Sequence, residues 1–314
     1  MAEIILKTEN LTKKYDDLIA VNRLNLEIPE GEVFGLLGPN GAGKTTTILM
    51  LLGLTEPFFG KATIYGHDCT RDPIGVKRVV GYLPDNVAFY NDMTGRENLR
   101  FIGDMNGLSR KRCEERIEML LERVGMTAAA NMKVKAYSRG MRQRLGIADV
   151  LMKDPKVVIL DEPTLGIDPE GVHELLELIK ELSVKDHRTV LISSHMLYQI
   201  QQICDRVGIF VKGKLIACGS IEELGRAVQD KKTISIEFGA KPHDEALGEL
   251  LRAVPGVEDV RRERETYIVR AQSDVRNELA SAAMGKGYSL ELVRKHGGDL
   301  DDIYRMYFGK EVAV

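Results

Sequence analysis

The sequence predicts an α/β domain with a mostly parallel sheet, followed by a small α+β domain. Short apolar runs alternate with helical periods up to about residue 228, and the composition changes after a polar break, QDKK, at residue 229. The chain has 314 residues, 44% of them hydrophobic, which is enough for one large and one small core. We therefore expect a first domain at residues 1–230 and a second at 231–314.

Three apolar runs predict the central strands of the first sheet. They begin at Val33 (VFGLLG), Lys156 (KVVIL) and Thr189 (TVLIS). The first two are too uniformly apolar for strands with one face in water, so we place all three in the buried middle of the sheet. Near the end of this domain, DRVGIFVKGKLIACGS predicts a hairpin with its turn at Lys212 and Gly213.

A helical segment interrupts the alternation at about residues 86–152. Within it, apolar residues recur at helical spacing from Cys113 to Val124, after a capping serine, Ser109, and before a closing glycine, Gly125. We predict that this segment forms a helical subdomain inserted into the α/β domain.

The second domain is predicted to follow the strand–helix–strand–strand–helix–strand order of the split ferredoxin-like arrangement. Its strands are expected at residues 233–238, 257–262, 267–271 and 288–293, and its helices at 243–254 and 274–284. One more helix, at residues 299–308, is expected to close the chain.

Composition narrows the classes of function. The formal net charge is −3 with both signs interspersed, so bulk electrostatics does not call for nucleic acid as a partner. No apolar run approaches the roughly 18 to 20 residues needed to cross a bilayer, so work at a membrane requires another, spanning chain. The cysteines form no CxxC pair, and we expect all of them to be reduced, buried residues: Cys69, Cys113, Cys204 and Cys218.

A glycine-rich loop, GPNGAGKTT, is the strongest functional signal. Gly38, Gly43, Lys44 and Thr45 satisfy GxxxxGK[ST] between a buried strand and an apolar helical run. The glycines let backbone N–H groups point inward around an anion, and the helix start adds positive potential. Lys44 is expected to reach the β- and γ-phosphates, and the Thr45 hydroxyl to bind Mg²⁺. The other loop residues expected to contact the nucleotide are Pro39, Asn40, Gly41, Ala42 and Thr46.

Two adjacent carboxylates end another buried strand, in VVILDEPT. Asp161 is the predicted second magnesium contact, held directly or through water. Glu162 is expected to face the γ-phosphate and to orient or deprotonate the attacking water, an effect of about 10²- to 10⁴-fold in rate. Alone, the pair fits a solvated strand end equally well, but the upstream loop favours the catalytic interpretation.

Five further motifs occur in one characteristic order. YSRGMRQRLGIA, at residues 137–148, resembles the signature of the ATP-binding cassette, and LGIDPEG resembles its D-loop, with Asp168. ISSH ends at His195 like the switch histidine of cassettes, and Tyr15 falls where they stack an aromatic ring on adenine. GYLPD, ending at Asp85, lies where they carry the Q-loop.

Over about residues 3–228 the chain therefore resembles the nucleotide-hydrolysing subunit of ABC transporters. The resemblance implies a P-loop NTPase fold with a RecA-like core and a helical subdomain, ATP and Mg²⁺ as cofactors, and a second cassette, in a homodimer, as partner. Ser138 and Gly140, at a helix start, would accept the γ-phosphate of ATP bound by that partner. Asp168 would also contact nucleotide, and His195 would bond the γ-phosphate and hold the attacking water.

Two departures from the family pattern qualify this prediction. Asp85 replaces the Q-loop glutamine; a carboxylate can bind Mg²⁺ but adds negative charge near the phosphates, and Asn86 offers an alternative amide. In the signature, Arg139 and Met141 replace a glycine and a glutamine. That form resembles the branch that drives ABC-2 type exporters. GYLPDNVAFYNDMTGRENLRF most resembles the ATPase that serves nitrous oxide reductase maturation, which is copper-related.

These features predict a cytoplasmic ATPase subunit, bound to the inner face of the cell membrane only through a transmembrane permease, that powers ABC-2 type efflux. ATP binding would join two cassettes and hydrolysis would release them. Two other classes stay open: a soluble cassette ATPase that acts on a macromolecular assembly, and a nucleotide switch that barely hydrolyses ATP. The second domain would stabilise the dimer, sense a ligand or be a structural appendage.

Overall fold

The computed structural model describes residues 3–224, 234–263 and 265–296. Contacts divide the chain into two compact units, Met1–Cys218 and Gly219–Val314. The boundary after Cys218 lies earlier in the chain than the predicted one, which depends on the polar break at residue 229.

The first unit contains ten strands and seven helices within the described ranges. In chain order they are β1 (Ile4–Tyr15), β2 (Leu18–Pro29), β3 (Val33–Leu37), α1 (Lys44–Leu51), β4 (Phe59–Ile64), β5 (His67–Asp68), α2 (Pro73–Val79), β6 (Val80–Leu83), α3 (Gly95–Met105), α4 (Arg110–Arg123), α5 (Arg139–Leu151), β7 (Val157–Asp161), α6 (Pro169–Val184), β8 (Thr189–Ser194), α7 (Leu197–Ile203), β9 (Arg206–Val211) and β10 (Lys214–Gly219).

A six-stranded sheet, in the order β10-β9-β3-β8-β7-β6, forms the centre of this unit. The adjacent strands β3, β8 and β7 run parallel, and every one of their residues is buried. The prediction of three buried central strands is confirmed. Because parallel strands end at the same edge of a sheet, the residues that follow β3, β7 and β8 come together there.

A second, antiparallel sheet in the order β2-β1-β4-β5 packs on the first unit's core and was not predicted. The pairing of β1 with β2 contains register shifts between Thr8 and Leu11 and again before Lys14. Each irregularity reverses the phase of the in–out alternation, which hides a strand from period-two patterning. The sheet matters for function because the β1–β2 hairpin lines the candidate site described below.

The predicted helical insertion is present as α3, α4 and α5, between β6 and β7. The Ser109 hydroxyl accepts a hydrogen bond from the Arg112 N–H at the start of α4, and Gly125 follows the helix with a φ of +67°. Cys113 and Ile117 lie on the buried face of α4. Both end signals and the apolar face that we predicted are therefore confirmed.

The second unit contains β11 (Ile234–Lys241), α8 (Glu245–Arg252), β12 (Val257–Glu263), β13 (Thr266–Ala271), α9 (Arg276–Gly285) and β14 (Ser289–His296). Its four strands form one sheet in the order β12-β13-β11-β14, with antiparallel neighbours. The element order is the predicted one, and the unit has its own apolar core around Phe238, Leu251 and Val269. The predicted helix at 299–308 lies outside the described residues.

The prediction that all four cysteines are buried is wrong for Cys218. The other three are buried, whereas Cys218 is exposed. It lies on β10, the edge strand, where exposed positions alternate with more covered ones. Cys218 and Ile216 are two residues apart on the strand, so both side chains point to the same, exposed face of the sheet.

Candidate nucleotide-binding site

A cavity of about 900 Å³ opens where the carboxyl ends of β3, β7 and β8 meet. Residues from the glycine-rich loop form one wall, and the ends of the two neighbouring strands form another. The predicted site residues that line it are Tyr15, Asn40, Gly41, Ala42, Gly43, Lys44, Thr45, Thr46, Asp85, Glu162 and His195.

The glycine-rich loop has the backbone geometry of an anion cradle. Gly43 has a φ of +105°, and a Cβ atom there would lie 2.4 Å from the carbonyl oxygen of Ala20, so only glycine fits. Lys44 begins α1, and the first N–H groups of a helix have no partner within it. These donors and the positive end of the helix face the cavity, which suits a phosphate chain.

Lys44 is buried and surrounded by oxygen atoms. Its Nζ lies 2.7 Å from the Gly38 carbonyl oxygen, 3.2 Å from that of Pro39 and 3.3 Å from Glu162 Oε1. Gly38 and Pro39 thus act through their carbonyl groups and do not line the cavity. The predicted phosphate-binding cation and the predicted catalytic carboxylate are direct neighbours.

Asp161, at the end of β7, is almost completely buried and does not itself line the cavity. Ser193 Oγ donates a hydrogen bond to Asp161 Oδ1. Burial raises the pKa of Asp161, and the negative charges of Asp85 and Glu162 add to that rise, whereas the hydroxyl groups of Ser193 and Thr45 oppose it. The three predicted metal ligands, Thr45, Asp85 and Asp161, thus lie close enough to influence one another.

Glu162 and His195 form a pair at the rim of the buried sheet. His195 Nδ1 lies 2.9 Å from Glu162 Oε2. Glu162 has a φ of +47°, a left-handed conformation that costs a non-glycine residue about 1–3 kcal/mol. Its other carboxylate oxygen, Oε1, accepts no hydrogen bond from the described residues but lies 3.3 Å from Lys44 Nζ. A strained backbone at a buried charged residue is characteristic of functional sites.

Tyr15 lines the cavity with its ring 44% exposed, and Lys13 Nζ lies 4.9 Å from the ring centroid. The structure adds wall residues that the sequence analysis missed: Leu18, Ile19, Ala20, Leu165, Lys212 and Gly213. The hairpin turn reaches the loop because the Gly213 N–H donates to the Ala42 carbonyl at 2.9 Å. The sequence predicted this turn correctly but carried no signal for its place beside the loop.

Besides Gly38 and Pro39, three predicted nucleotide contacts do not line the cavity. Ser138 caps the start of α5, where its hydroxyl accepts from the Met141 N–H at 3.2 Å. Asp168 caps α6 in the same way, accepting from the Gly171 N–H at 2.9 Å. Both are exposed and Gly140 is half-buried, and none of the three shares the lining of the cavity with Glu162.

Asp85 lies between two cavities. It lines the large cavity and also a smaller one of about 290 Å³, whose other walls are formed by Asn86, Val87, Arg139, Arg142 and Gln143. The carboxylate therefore connects the predicted metal site to the start of α5, where the signature residues lie.

Hydrolysis of a nucleoside triphosphate is the chemistry that this arrangement serves, and the fold is that of a P-loop ATPase. A family model described as ABC transporter matches residues 21–165. The ABC transporter ATP-binding protein YxlF of Bacillus subtilis is 37% identical over 303 residues, which cover 96% of this chain and 98% of that protein. The chain belongs to the ABC transporter family, and it is an ATP-hydrolysing subunit of a transporter.

Two further comparisons agree with this assignment. The bacitracin transport ATP-binding protein BcrA of Bacillus licheniformis is 42% identical over 212 residues, covering 68% of each chain. A solved structure of the ATP-binding subunit of an ABC transporter superposes with a TM-score of 0.65 at 31% identity, covering 71% of this chain and 92% of that one.

Proposed function

We propose that this chain is the ATPase subunit of an ABC-2 type exporter and that it works as a dimer of two identical cassettes at the inner face of the cell membrane. None of the helices in the described ranges has the length and apolar character that crossing a bilayer requires. A separate permease would supply the spans. The similarity to the bacitracin transport protein BcrA supports a role in transport.

The proposed dimer is supported by the separation of the predicted nucleotide contacts into two sets. Glu162 and His195 line the cavity, whereas Ser138 and Asp168 are exposed helix caps elsewhere on the first unit. If all of them bind one ATP molecule, the second set must come from another copy. Each site is then complete only when two cassettes close on each other.

Exposed apolar side chains beside the catalytic pair support the same conclusion. A cavity of about 370 Å³ adjoins Glu162 and His195 and is lined by Leu165, Met196 and Tyr198, which are 41%, 47% and 69% exposed. Apolar surface next to charged catalytic groups is typical of a surface that another protein covers.

The residues of the site also fit Mg²⁺. Thr45 and Asp161 offer hydroxyl and carboxylate oxygens, the donors that this ion prefers. Among the described residues there is no group of three or more His, Cys, Asp or Glu side chains that could hold a metal by themselves. This fits an ion that binds together with ATP and takes part of its coordination from phosphate oxygens. Bound there, Mg²⁺ would offset the charge of the phosphates.

For hydrolysis, we assign the roles from the geometry of the site. The loop and Lys44 hold the phosphate chain. Glu162 Oε1, which faces Lys44 Nζ at 3.3 Å, would accept a hydrogen bond from the attacking water once that lysine binds the phosphates. His195 holds Glu162 through Oε2 and so limits its rotation. Asp168 and Ser138 contribute from the partner. Water then attacks the γ-phosphate in line, and most of the rate comes from positioning and charge.

The test is Glu162→Gln, since an amide cannot take the proton of the attacking water. We expect phosphate release to fall by about 10²- to 10⁴-fold. ATP should then hold the variant in dimers, visible by size-exclusion chromatography, whereas ADP should leave it monomeric. Unchanged turnover would favour a nucleotide switch over an ATPase. A variant that stays monomeric in saturating ATP would refute the dimer.

A tagged copy purified from membranes tests the transport role. Co-purification of a polytopic membrane protein is expected, while recovery of a soluble assembly scaffold alone would favour the other class of ATPase. The finer resemblance to the ATPase of nitrous oxide reductase maturation stays a prediction. The transported substrate would be identified through the permease that co-purifies.

A further inference from the structure

Ser193 is a fully buried serine that contacts both Asp161 and the backbone of Glu162. It is on β8, opposite Asp161 of β7 in the parallel pairing. Its hydroxyl donates to Asp161 Oδ1 and accepts from the Glu162 N–H at 3.1 Å. Its own carbonyl oxygen also accepts from that N–H, at 3.2 Å. One residue thus bonds the carboxylate of Asp161 and the main chain of Glu162.

We propose that Ser193 is a positioning residue for ATP hydrolysis: its hydroxyl fixes the orientation of the Asp161 carboxylate and holds the backbone of Glu162 in its left-handed conformation. Ser193 reaches neither the cavity nor the reacting atoms, so it acts through these two neighbours.

The effect on Asp161 follows from burial. A buried carboxylate oxygen needs a hydrogen-bond donor, and Ser193 supplies one to Asp161 Oδ1. This hydroxyl lies on the side of the neighbouring strand and limits rotation of the carboxylate about its Cβ–Cγ bond. Loss of this donor leaves an acceptor in the sheet interior without a partner.

The effect on Glu162 follows from backbone strain. A residue with a φ of +47° keeps that conformation only where its surroundings hold it. Here the N–H of Glu162 is shared between two oxygens of Ser193, the hydroxyl and the carbonyl. Without the hydroxyl, the Glu162 N–H keeps only its hydrogen bond to the Ser193 carbonyl oxygen. The Glu162 side chain, and with it the contact to His195, is then less well positioned.

The adjacent serine shows that this role is specific. Ser194 is also fully buried, but its hydroxyl accepts from the Met196 N–H at 2.9 Å and lies 3.4 Å from Gln199 Oε1. Its hydroxyl makes no hydrogen bond to Asp161 or to Glu162. Successive residues of a strand point to opposite faces, which is why the hydroxyl of Ser193, and not that of Ser194, reaches these two residues.

The experiment compares Ser193→Thr with Ser193→Val, two variants of nearly equal volume that differ in the hydroxyl. We expect Ser193→Val to lower kcat by about 10- to 100-fold, as loss of a hydrogen bond that orients a metal ligand does. Ser193→Thr should retain most of the rate. Affinity for a fluorescent ATP analogue in EDTA should stay within about twofold of wild type in both, because the glycine-rich loop is untouched, whereas Mg²⁺ should enhance analogue binding less in Ser193→Val.

A remote buried serine supplies the control for stability. Ser183 donates its hydroxyl to the Gly31 carbonyl at 2.6 Å, far from the site residues in the sheet, and Ser183→Ala should keep the wild-type rate. Thermal unfolding of all variants is measured alongside. Equal rates for Ser193→Val and Ser193→Thr would overturn the proposal, since the hydroxyl would then be unnecessary. An equal loss in Ser183→Ala would overturn it as well, by showing a general effect of stability.

Discussion

The catalytic edge of the central sheet and the start of α5 differ in how far the chain completes them by itself. At the sheet edge, Lys44, Asp161 and Glu162 are buried and contact one another or Ser193. At the start of α5, Ser138 is exposed and bonds only its own helix. The first region is organised without a ligand; the second presents a helix start to whatever approaches.

The difference between the buried sheet edge and the exposed start of α5 bears on how the reaction is controlled. Groups that are buried and hydrogen-bonded need no reorganisation before the reaction, which is how positioned charge accelerates a step. In the proposed dimer, the exposed helix start would contribute only after another surface brings a phosphate to it. Assembly of the second region onto the first would then decide when the preformed carboxylates act.

A negative charge at Ser138 is expected to have the largest effect, because it tests directly whether the start of α5 faces a phosphate. Aspartate is as good an N-cap as serine, so Ser138→Asp should leave α5 and ATP binding by the monomer intact. Opposite a γ-phosphate it is repelled, and a like charge against an interface costs several kcal/mol, so turnover should fall by about 100-fold or more. Phosphate release and analogue binding measure the two effects.

Ser138→Asn supplies the matched control, because asparagine caps equally well without charge. It should keep far more of the turnover than Ser138→Asp. If Ser138→Asp hydrolyses ATP at the wild-type rate, then the start of α5 faces no phosphate at any stage. The difference between the sheet edge and the start of α5 would then be unrelated to catalysis.

Substitutions of Tyr15 test the expected adenine contact in the region that the chain organises by itself. Its partly exposed ring is expected to stack on adenine, and Tyr15→Ala should weaken ATP binding by about 1–3 kcal/mol, or roughly 5- to 150-fold. Tyr15→Phe keeps the ring and should bind normally. Equilibrium titration with a fluorescent ATP analogue measures this, and equal affinity in all three proteins would exclude stacking.

The smallest expected effect concerns the body of α5. Burial raises the pKa of Asp149 to about 6, with Lys153 opposing the rise, and Asp149 Oδ1 has no hydrogen-bond partner among the described residues. A folded-state pKa above the ordinary value of 3.8 contributes stability that is present below that value and lost as the pH rises through about 6. The ionised carboxylate is therefore a cost near neutrality.

Asp149→Asn should raise the free energy of unfolding at pH 8 by about 1–2 kcal/mol, after allowance for partial exposure, and the gain should shrink towards pH 5. Urea unfolding at the two pH values measures it. Exposed Asp17→Asn is the control and should show little change at either pH. A gain independent of pH would place its origin outside the ionisation of Asp149.

Much of the fold was predictable because its signals are local. Apolar runs identified β3, β7 and β8, and a capping serine with a closing glycine bounded α4. The antiparallel sheet was missed because register irregularities interrupt the two-residue period in the pairing of β1 with β2, and the alternation that is left, from Leu24 to Ile28, is short. Cys218 was misplaced because exposure on an edge strand depends on which strands are neighbours.

Short motifs encode the chemistry of the site: the phosphate loop, the paired carboxylates and the histidine each depend on residues a few positions apart, and their types restrict what they can bind. By contrast, the contacts of Ser193 with Asp161 and Glu162, and of the Gly213 turn with the loop, form only in the folded chain. These contacts join segments that are distant in the chain. They exist only once the register between those segments is established, which no local pattern encodes.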